Sequence, residues 1–429
     1  MSRRTITNKA AAGVAAAALL SLTACGGGNG GGGANAWVLT GGGWPAVEAD
    51  FESWNEQNED QQISVESFEN DAYKERIRTV VGSGEAPTLV MSWTGGALLD
   101  YVEGDRVIDL TEETQELRDG MHESVWQNGE VDGSVYAVPM NDVQPVVLYF
   151  NQEVFDEVGV EVPQTWSDVE DAIEAFEAEG VTPFSLAGGS VWPALMWLQY
   201  LTDRHGGEGA FASVVEGEED AWSNESILFA LEQIQWLADN GGFDETFTSV
   251  TADQNEDARL LAEGEAAMLL QGSWVYATVH EDFPDFAESG DFGFTEFPAL
   301  EDGQGDPSNI VGNPANFWSI SADASEEDQD AAMNYLTEHL FNEETVETML
   351  EQGSLPPLEG IEDQIAETED ADFLEFSNQL VSDANHFQLS WDQAVAPDQE
   401  QPLMENLENI LLGSITPEEF AENMNALQN

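Results

Sequence analysis

The chain of 429 residues contains a single cysteine, Cys25, and very few basic side chains. One cysteine cannot form a disulfide within the chain, so an internal crosslink is excluded. From Cys25 onward there are seven lysines and arginines against 85 acidic residues, a balance of −78, and Lys74 is the only lysine of that part. Because binding to nucleic acid needs basic groups that meet the phosphates, nucleic acid is excluded as a partner.

Several enzyme motifs are also missing. The sequence has no P-loop, no G-x-S-x-G turn and no Cys/His metal spacing, and its five histidines are scattered. With 85 acidic residues, a pair of carboxylates arises anywhere and does not indicate a glycosidase. The loop bounded by Asp302 and Asp306 does not have EF-hand spacing, so we interpret it as a solvated loop and not as a calcium site. We therefore expect no enzyme, no metal and no cofactor.

The first residues have the pattern of a secretory signal. Arg3, Arg4 and Lys9 precede an apolar stretch over 10–22 that is too short for a permanent membrane span. The sequence then reads LTAC at 22–25, which resembles a bacterial lipobox. We expect 1–24 to be removed and Cys25 to be lipidated, with 25–35 as a glycine-rich tether to the extracellular face of the cell membrane. An ordinary signal with an incidental cysteine is the alternative.

The strong negative charge does not predict disorder, because disorder also requires low hydrophobicity. Here 41% of the residues are hydrophobic, with 13 tryptophans and 21 phenylalanines, so a sizeable core can form. The acidic residues are spread along the whole chain. We interpret them as the surface of a folded protein suited to high salt, where ions screen the self-repulsion of the chain.

Strand-like and helix-like patterns alternate near the start of the mature chain. Short apolar strands at 37–40, 63–66 and 88–91 flank two helical segments, which predicts a parallel sheet covered by helices. In such sheets, ligands bind beyond the carboxyl ends of the strands. The residues that follow these strands are therefore candidate site residues, and they include Trp44, Asn70, Asp71 and Trp93.

Farther along, several segments resemble a known family in their order and spacing. They are YAVPMND at 136–142, LYFN at 148–151, VPQTW at 162–166, GEAAM at 264–268, GSW at 272–274, LPP at 355–357 and SWDQA at 390–394. Together they resemble the carbohydrate ABC-transporter substrate-binding proteins, extracellular solute-binding protein family 1. Within that family, 70–74 and 389–394 look most like the xylo-oligosaccharide and raffinose-type binders.

The resemblance implies an α/β fold of the two-lobe periplasmic-binding-protein type (type II), with hinge strands and a ligand cleft between the lobes. It implies an N-terminal lobe of 36–141 and 295–341 and a C-terminal lobe of 142–294 and 342–429. Chain crossings are expected at Asn141 and Asp142 and around Phe297. It further implies a monomeric receptor that captures a sugar or short oligosaccharide and delivers it to the permease of an ABC importer by hinge closure.

A sugar needs flat aromatic faces for its C–H surfaces and polar groups for its hydroxyls. Tryptophans that fit helical periodicity, such as Trp54, Trp197 and Trp236, are expected in the core. Other tryptophans occupy turn or strand-end positions, and three of them (93, 274 and 391) match positions where the resembling family places cleft aromatics. The predicted aromatic set is Trp44, Trp93, Trp192, Trp274 and Trp391. The predicted hydroxyl partners are Asn70, Asp71, Asn141, Asp142, Asn313 and Asp392.

Two other functions remain open at this point. An acidic cleft would also attract cations, so the solute could be a polyamine or a peptide. A secreted glycosidase is the third alternative. Whether Trp274 and Trp391 face the cleft discriminates between a sugar and the other solutes.

Overall fold

The computed structural model describes residues 33–41 and 44–428. The predicted signal segment, Cys25 and most of the predicted tether lie outside these residues. In the described part of the chain, no helix is both long enough and apolar enough to cross a membrane.

Strands and helices alternate at the start of the described chain, as the sequence pattern predicts. Ala36, Val38, Ile63 and Leu89 on these strands are completely buried. The elements up to residue 139 are β1 (Ala34–Leu39), α1 (Trp44–Gln57), β2 (Ile63–Phe68), α2 (Asn70–Ser83), β3 (Leu89–Ser92), α3 (Gly95–Glu103), α4 (Gln115–Arg118), α5 (Glu123–Trp126), β4 (Glu130–Val131), β5 (Ser134–Val135) and β6 (Val138–Pro139).

The middle of the chain is mainly helical. Thr165 caps one of its helices in a capping box with Asp168, and Gly180 ends that helix in the left-handed conformation. The elements here are β7 (Gln144–Asn151), α6 (Gln152–Val158), α7 (Trp166–Glu179), β8 (Thr182–Ser185), α8 (Pro193–Gly206), α9 (Gly209–Val215), α10 (Glu225–Asp239), α11 (Glu256–Ala262), β9 (Ala266–Gly272), α12 (Trp274–Asp282), α13 (Pro284–Ala287) and β10 (Phe292–Thr295).

The last part returns to strands and then ends in helices. Thr416 and Glu419 form the second predicted capping box, with Pro417 at the first helical position. The elements are β11 (Ile310–Asn313), β12 (Phe317–Ile320), α14 (Glu326–Glu338), α15 (Glu343–Glu351), α16 (Glu362–Ile365), α17 (Ala371–Asp383), β13 (Phe387–Leu389), α18 (Trp391–Ala394), α19 (Pro397–Leu411) and α20 (Pro417–Asn425).

The strands form two main sheets, one in each lobe, which confirms the predicted two-lobe α/β fold. The first sheet has the order β2-β1-β3-β12-β6, and β1 runs parallel to both β2 and β3. Strand β12 is antiparallel to β3 and β6. The second sheet has the order β13-β11-β7-β9-β8, and β10 adds a further antiparallel pairing to β7.

The strand pairing shows where the chain passes between the two sheets. One passage lies between β6 and β7 at 140–143, which includes the residues where the resemblance implies a crossing. The expected second passage around Phe297 is wrong. Phe297 is 5% exposed and stacks on Tyr200 in the second lobe, with ring centroids 4.5 Å apart. Because β11 still pairs with β7 and β13, the chain returns to the first sheet only at 314–316.

The predicted boundary at 341/342 is also too early. Buried Asp50 on α1 accepts hydrogen bonds from Tyr335 at 2.6 Å and Asn342 at 3.3 Å. It also accepts a hydrogen bond from Thr345, so α15 is fixed to the first lobe together with α14. The chain reaches the second lobe by α17, where Phe373 stacks on Tyr276 with ring centroids 3.9 Å apart.

Candidate functional site

A cavity of about 270 Å³ lies between the two sheets and is lined by residues of both lobes. We call it the cleft. Its first-lobe lining comes from the ends of β1 and β3 and the start of α2, and its second-lobe lining comes from α8, α11, α12 and α18. The passages at 140–143 and 314–316 contribute Asp142 and Asn316 to the lining. The cleft therefore lies at the carboxyl ends of parallel strands, as the sequence predicts for the first lobe.

Four tryptophans line the cleft, two from each lobe. Trp44 begins α1 and Trp93 follows β3, and they are 8% and 9% exposed. Trp192 directly precedes α8 and Trp274 begins α12, and both are half-buried. Aromatic faces thus approach the cleft from opposite sides.

Trp274 owes its position to the glycine two residues before it. A Cβ atom at Gly272 would lie 2.0 Å from the Trp274 ring, so only glycine lets the ring lie against this strand end. The hydroxyl of Tyr149 donates to the carbonyl oxygens of Gly272 at 3.3 Å and Ser273 at 3.2 Å. The GSW segment therefore positions the Trp274 ring with one face toward the cleft.

Trp192 is placed by a strained turn. Val191 has a φ of 63°, which is unusual for a β-branched residue and costs on the order of 1–3 kcal/mol. The Ser190 hydroxyl accepts a hydrogen bond from the Ala252 amide at 3.1 Å and fixes the turn to the neighbouring loop. As a result, the Trp192 ring lies 6.0 Å from the Trp274 ring at an interplanar angle of 50°.

Trp93 is held from the other lobe. The next residue, Thr94, has a φ of 68°. A Cβ atom at Gly95 would lie 2.1 Å from the Gln393 carbonyl oxygen, so the start of α3 packs directly against the segment at α18. The Lys74 ammonium lies 4.9 Å over the Trp93 ring and 3.1 Å from Asp392, which joins the two lobes by an ion pair.

Polar side chains line the cleft as well. The predicted partners Asn70, Asp142, Asn313 and Asp392 all line the cleft. The side-chain oxygens of Asn313 and Gln199 are buried without a hydrogen-bond partner among the described residues. The indole nitrogen of Trp192 is also buried and has no hydrogen-bond partner among the described residues. Because buried polar atoms are normally paired, these three atoms are positions where a ligand would be bonded.

Burial raises the pKa of three carboxyl groups that line the cleft. Desolvation raises the pKa of Asp142 to about 6, against the hydrogen bond that Gln144 donates to it. The pKa of Asp253 is also raised to about 6, first by desolvation and then by the nearby charge of Asp71. Burial raises the pKa of Asp257 as well, although Gln271 donates to it at 3.0 Å.

Two predicted site residues do not line the cleft because they have structural partners. Trp391 is 1% exposed and stacks on Phe211 with ring centroids 4.0 Å apart, so it belongs to the core of the second lobe and the prediction is wrong. Asn141 forms a reciprocal pair with Asn316: its side-chain amide donates to the Asn316 side-chain oxygen at 2.8 Å, and its side-chain oxygen accepts from the Asn316 backbone N–H at 2.7 Å. This pair ties together the two passages of the chain between the sheets.

Asp71 is the third predicted residue outside the lining. Its backbone N–H donates to Asp253 across the lobes at 3.3 Å, and its carboxylate accepts from Asn70 at 3.1 Å. Asp71 therefore stands beside the cleft and holds two of its lining residues.

Several lining residues were not found from the sequence. Two of them carried a signal in the sequence: Lys74 is the only lysine after Cys25, and Gln271 immediately precedes the GSW segment. Glu69 lies between the predicted strand at 63–66 and Asn70 but was not singled out. Gln199, Asp253 and Asp257 follow no predicted strand and match no motif. The missed polar lining residues include Glu69, Lys74, Gln144, Gln199, Asp253, Asp257, Gln271 and Asn316.

The fold and the cleft define a two-lobe binding protein with its site between the lobes. Residues 49–374 match the family model described as bacterial extracellular solute-binding protein. This match covers well over half of the chain, so the chain belongs to that family.

Curated relatives match over part of their length. An uncharacterised ABC transporter extracellular-binding protein of Pyrococcus horikoshii is 22% identical over 202 residues, 46% of this chain and 44% of the relative. The multiple sugar-binding protein of Streptococcus mutans is 26% identical over 41% of each chain. The xylose/arabinose-binding protein XacG of Haloferax volcanii is 24% identical over 61% of this chain and 57% of its own. The matches thus span about half the length of these relatives.

Solved structures match over nearly the whole chain. One, from work on xylan utilisation by the thermophilic bacterium Caldanaerobius polysaccharolyticus, has a TM-score of 0.82 and 27% identity and covers 92% of this chain and 100% of that chain. A chitin oligosaccharide binding protein has a TM-score of 0.82 at 21% identity, over 92% of this chain and 98% of its own. The RafE protein in complex with raffinose has a TM-score of 0.73 at 21% identity, over the same shares.

Proposed function

We propose that this protein captures a sugar or short oligosaccharide in the cleft and delivers it to an ABC importer. The observation that carries the proposal is the set of four tryptophans, two from each lobe, in a cleft that Asn313 and Gln199 also line. The side-chain oxygens of these two residues have no hydrogen-bond partner among the described residues. Aromatic faces suit the C–H surfaces of a pyranose, and the polar atoms suit its hydroxyls.

Capture would proceed by closure of the two lobes. A ligand that contacts Trp44 and Trp93 in one lobe and Trp192 and Trp274 in the other makes more contacts in the closed state than in the open one. It therefore shifts the population toward closure. The Asn141–Asn316 pair lies where the chain passes between the sheets, and we assign it to the hinge.

The sugar class is supported by the proteins that this chain resembles. The names of two curated relatives describe sugar binding, and the solved structure at 27% identity comes from work on xylan utilisation. We extend that class to this chain because the cleft tryptophans supply the aromatic faces that such ligands need.

We also propose how the protein is held in place. The segment ending in Cys25 would act as a secretory signal, and lipidation of Cys25 would anchor a monomer at the extracellular face of the cell membrane. There the acidic surface would favour a salt-rich medium, and the permease subunits of the importer would be the protein partners.

One observation favours a second candidate ligand. Five carboxylates and a single lysine line the cleft, and such a site would attract a polyamine. A polyamine lacks the apolar ring faces that four tryptophans would cover, so we rank it second.

A ligand panel tests both candidates. Purified protein is titrated with xylo-, malto-, cello- and chito-oligosaccharides of two to four rings, with raffinose, and with putrescine and spermidine. Intrinsic tryptophan fluorescence and thermal shift are read in low and high salt. We expect at least one oligosaccharide to change the fluorescence and raise the Tm. A response to the polyamines alone would replace the sugar proposal, and turnover of a bound sugar would restore the glycosidase alternative.

A further inference from the structure

Carboxylates surround the cleft on all sides. Glu69 comes from the first lobe, Asp142 from the passage between the sheets, and Asp253, Asp257 and Asp392 from the second lobe. Of these five carboxylates, only Asp392 has a basic side chain of the described residues within ion-pair distance. A ligand in the cleft is therefore exposed to five carboxylates, four of which have no ion-pair partner among the described residues.

The one basic residue in the described lining is already engaged. The Lys74 ammonium lies 3.1 Å from Asp392, and it also lies 4.9 Å over the Trp93 ring. To meet an acidic ligand, Lys74 would have to leave both partners and unpair Asp392, which is 7% exposed. Removing the partner of a buried charge is costly, so Lys74 is a poor receptor for an anion.

The unpaired groups of the lining are mostly acceptors. Gln199, which is 1% exposed, donates to the Ser390 hydroxyl at 3.3 Å, while its side-chain oxygen has no partner in the described chain. The side-chain oxygen of Asn313 is unpaired in the same way. Hydroxyl groups donate to such oxygens, whereas a ligand carboxylate, which only accepts, leaves them unpaired.

Negative charge is most crowded where the two lobes meet at Asp253. Its carboxylate accepts the backbone N–H of Asp71 from the first lobe at 3.3 Å. The carboxylates of Asp71 and Glu69 oppose its ionisation and contribute to the raised pKa of Asp253. An additional negative charge at this point would meet repulsion from both lobes.

We infer that the cleft selects uncharged sugars against acidic ones, and that Asp253 is a residue that determines this selectivity. The inference rests on the proposed sugar-binding function and names the ligand class within it. Two unit charges about 6 Å apart at an effective dielectric constant of about 40 repel by enough to weaken binding roughly tenfold.

The test uses pairs of trisaccharides that differ in one carboxylate, which is ionised in one member and masked as a methyl ester in the other. In one member of each pair, one of the three rings is a glucuronic acid; in the other member, the same ring is the methyl ester of that acid. The pairs are made with xylose and with glucose as the remaining rings. Affinities come from isothermal titration calorimetry at pH 7.5 in low salt. We expect the ester to bind at least about tenfold more tightly than the acid, with a smaller difference in high salt.

Two variants locate the effect. Asp253→Asn should reduce the ratio of the Kd of the acid to the Kd of the ester by about threefold or more. Glu174→Gln, which removes one exposed charge on α7 outside the lining, should leave it unchanged. Equal affinities for acid and ester in the wild-type protein would overturn the selectivity while the proposed function stands. An unchanged difference in folded Asp253→Asn would overturn the role of Asp253. Failure of every ester and every neutral sugar of the panel to bind would remove the proposed function itself.

Discussion

Replacing Trp274 by alanine should weaken sugar binding while the protein stays folded. The ring is half-buried, lies against Gly272 and faces the cleft together with Trp192. It therefore presents one face that a ligand would cover. Because the ring is held at the end of β9 and not in the middle of a core, its loss should affect the ligand more than the fold.

The size of the effect follows from the area of that face. An aromatic side chain can bury about 150–250 Å², so one face offers about 100 Å² to a stacked pyranose. At about 25 cal/mol for each Å² of apolar surface, the loss is about 2.5 kcal/mol, or roughly a 50- to 100-fold increase in Kd.

Isothermal titration calorimetry with the best ligand of the panel gives this Kd directly. Trp236→Ala is the matched control, because Trp236 is a half-buried tryptophan on α10 that packs against the core outside the cleft. The control should change the Kd by less than twofold. A change of less than about threefold in Trp274→Ala, with its Tm and circular dichroism retained, would refute the role of this ring.

Three further outcomes are expected. Trp391→Ala should lower the free energy of unfolding by about 3–5 kcal/mol in urea denaturation, because a buried, stacked ring is lost; selective loss of affinity at unchanged stability would contradict its core position. Burial raises the pKa of Asp142 to about 6 from about 4 in the unfolded chain, so its ionisation reduces stability as pH rises through this range. Asp142→Asn should therefore be about 2–3 kcal/mol more stable than wild type at pH 7 but nearly equal at pH 4, whereas a pH-independent difference would argue against the shift. Gly272→Ala should displace the Trp274 ring and raise the Kd about as much as Trp274→Ala; wild-type affinity would show that the ring tolerates a Cβ there.

Local patterns predicted much of the fold because their causes are local. The capping boxes at Thr165 and Thr416 and the strand–helix alternation over β1 to β3 depend on neighbouring residues only. The crossing around Phe297 and the boundary at 341/342 were wrong because they depend on pairings distant in sequence. The periodicity of hydrophobic residues does not predict that β11 pairs with β7 and β13. It also does not predict that α14 and α15 donate hydrogen bonds to Asp50.

The site was predictable where a residue follows a strand and less so elsewhere. Trp44 and Trp93 were expected from strand ends and Trp274 from the GSW segment, and all three line the cleft. Trp391 also had a turn-like context, yet Phe211 from a distant helix covers it. Asp253 and Gln199 reach the cleft from segments without a motif, so only the tertiary arrangement identifies them.

A crystal structure with the best oligosaccharide of the panel tests the central claim most directly. We expect the sugar rings to lie in the cleft with their apolar faces on tryptophans of both lobes, at least one of Trp44 and Trp93 and at least one of Trp192 and Trp274. We also expect ligand hydroxyls to donate to the side-chain oxygens of Asn313 and Gln199. A sugar bound outside the cleft, or in it without contact to a tryptophan of either lobe, would contradict this account.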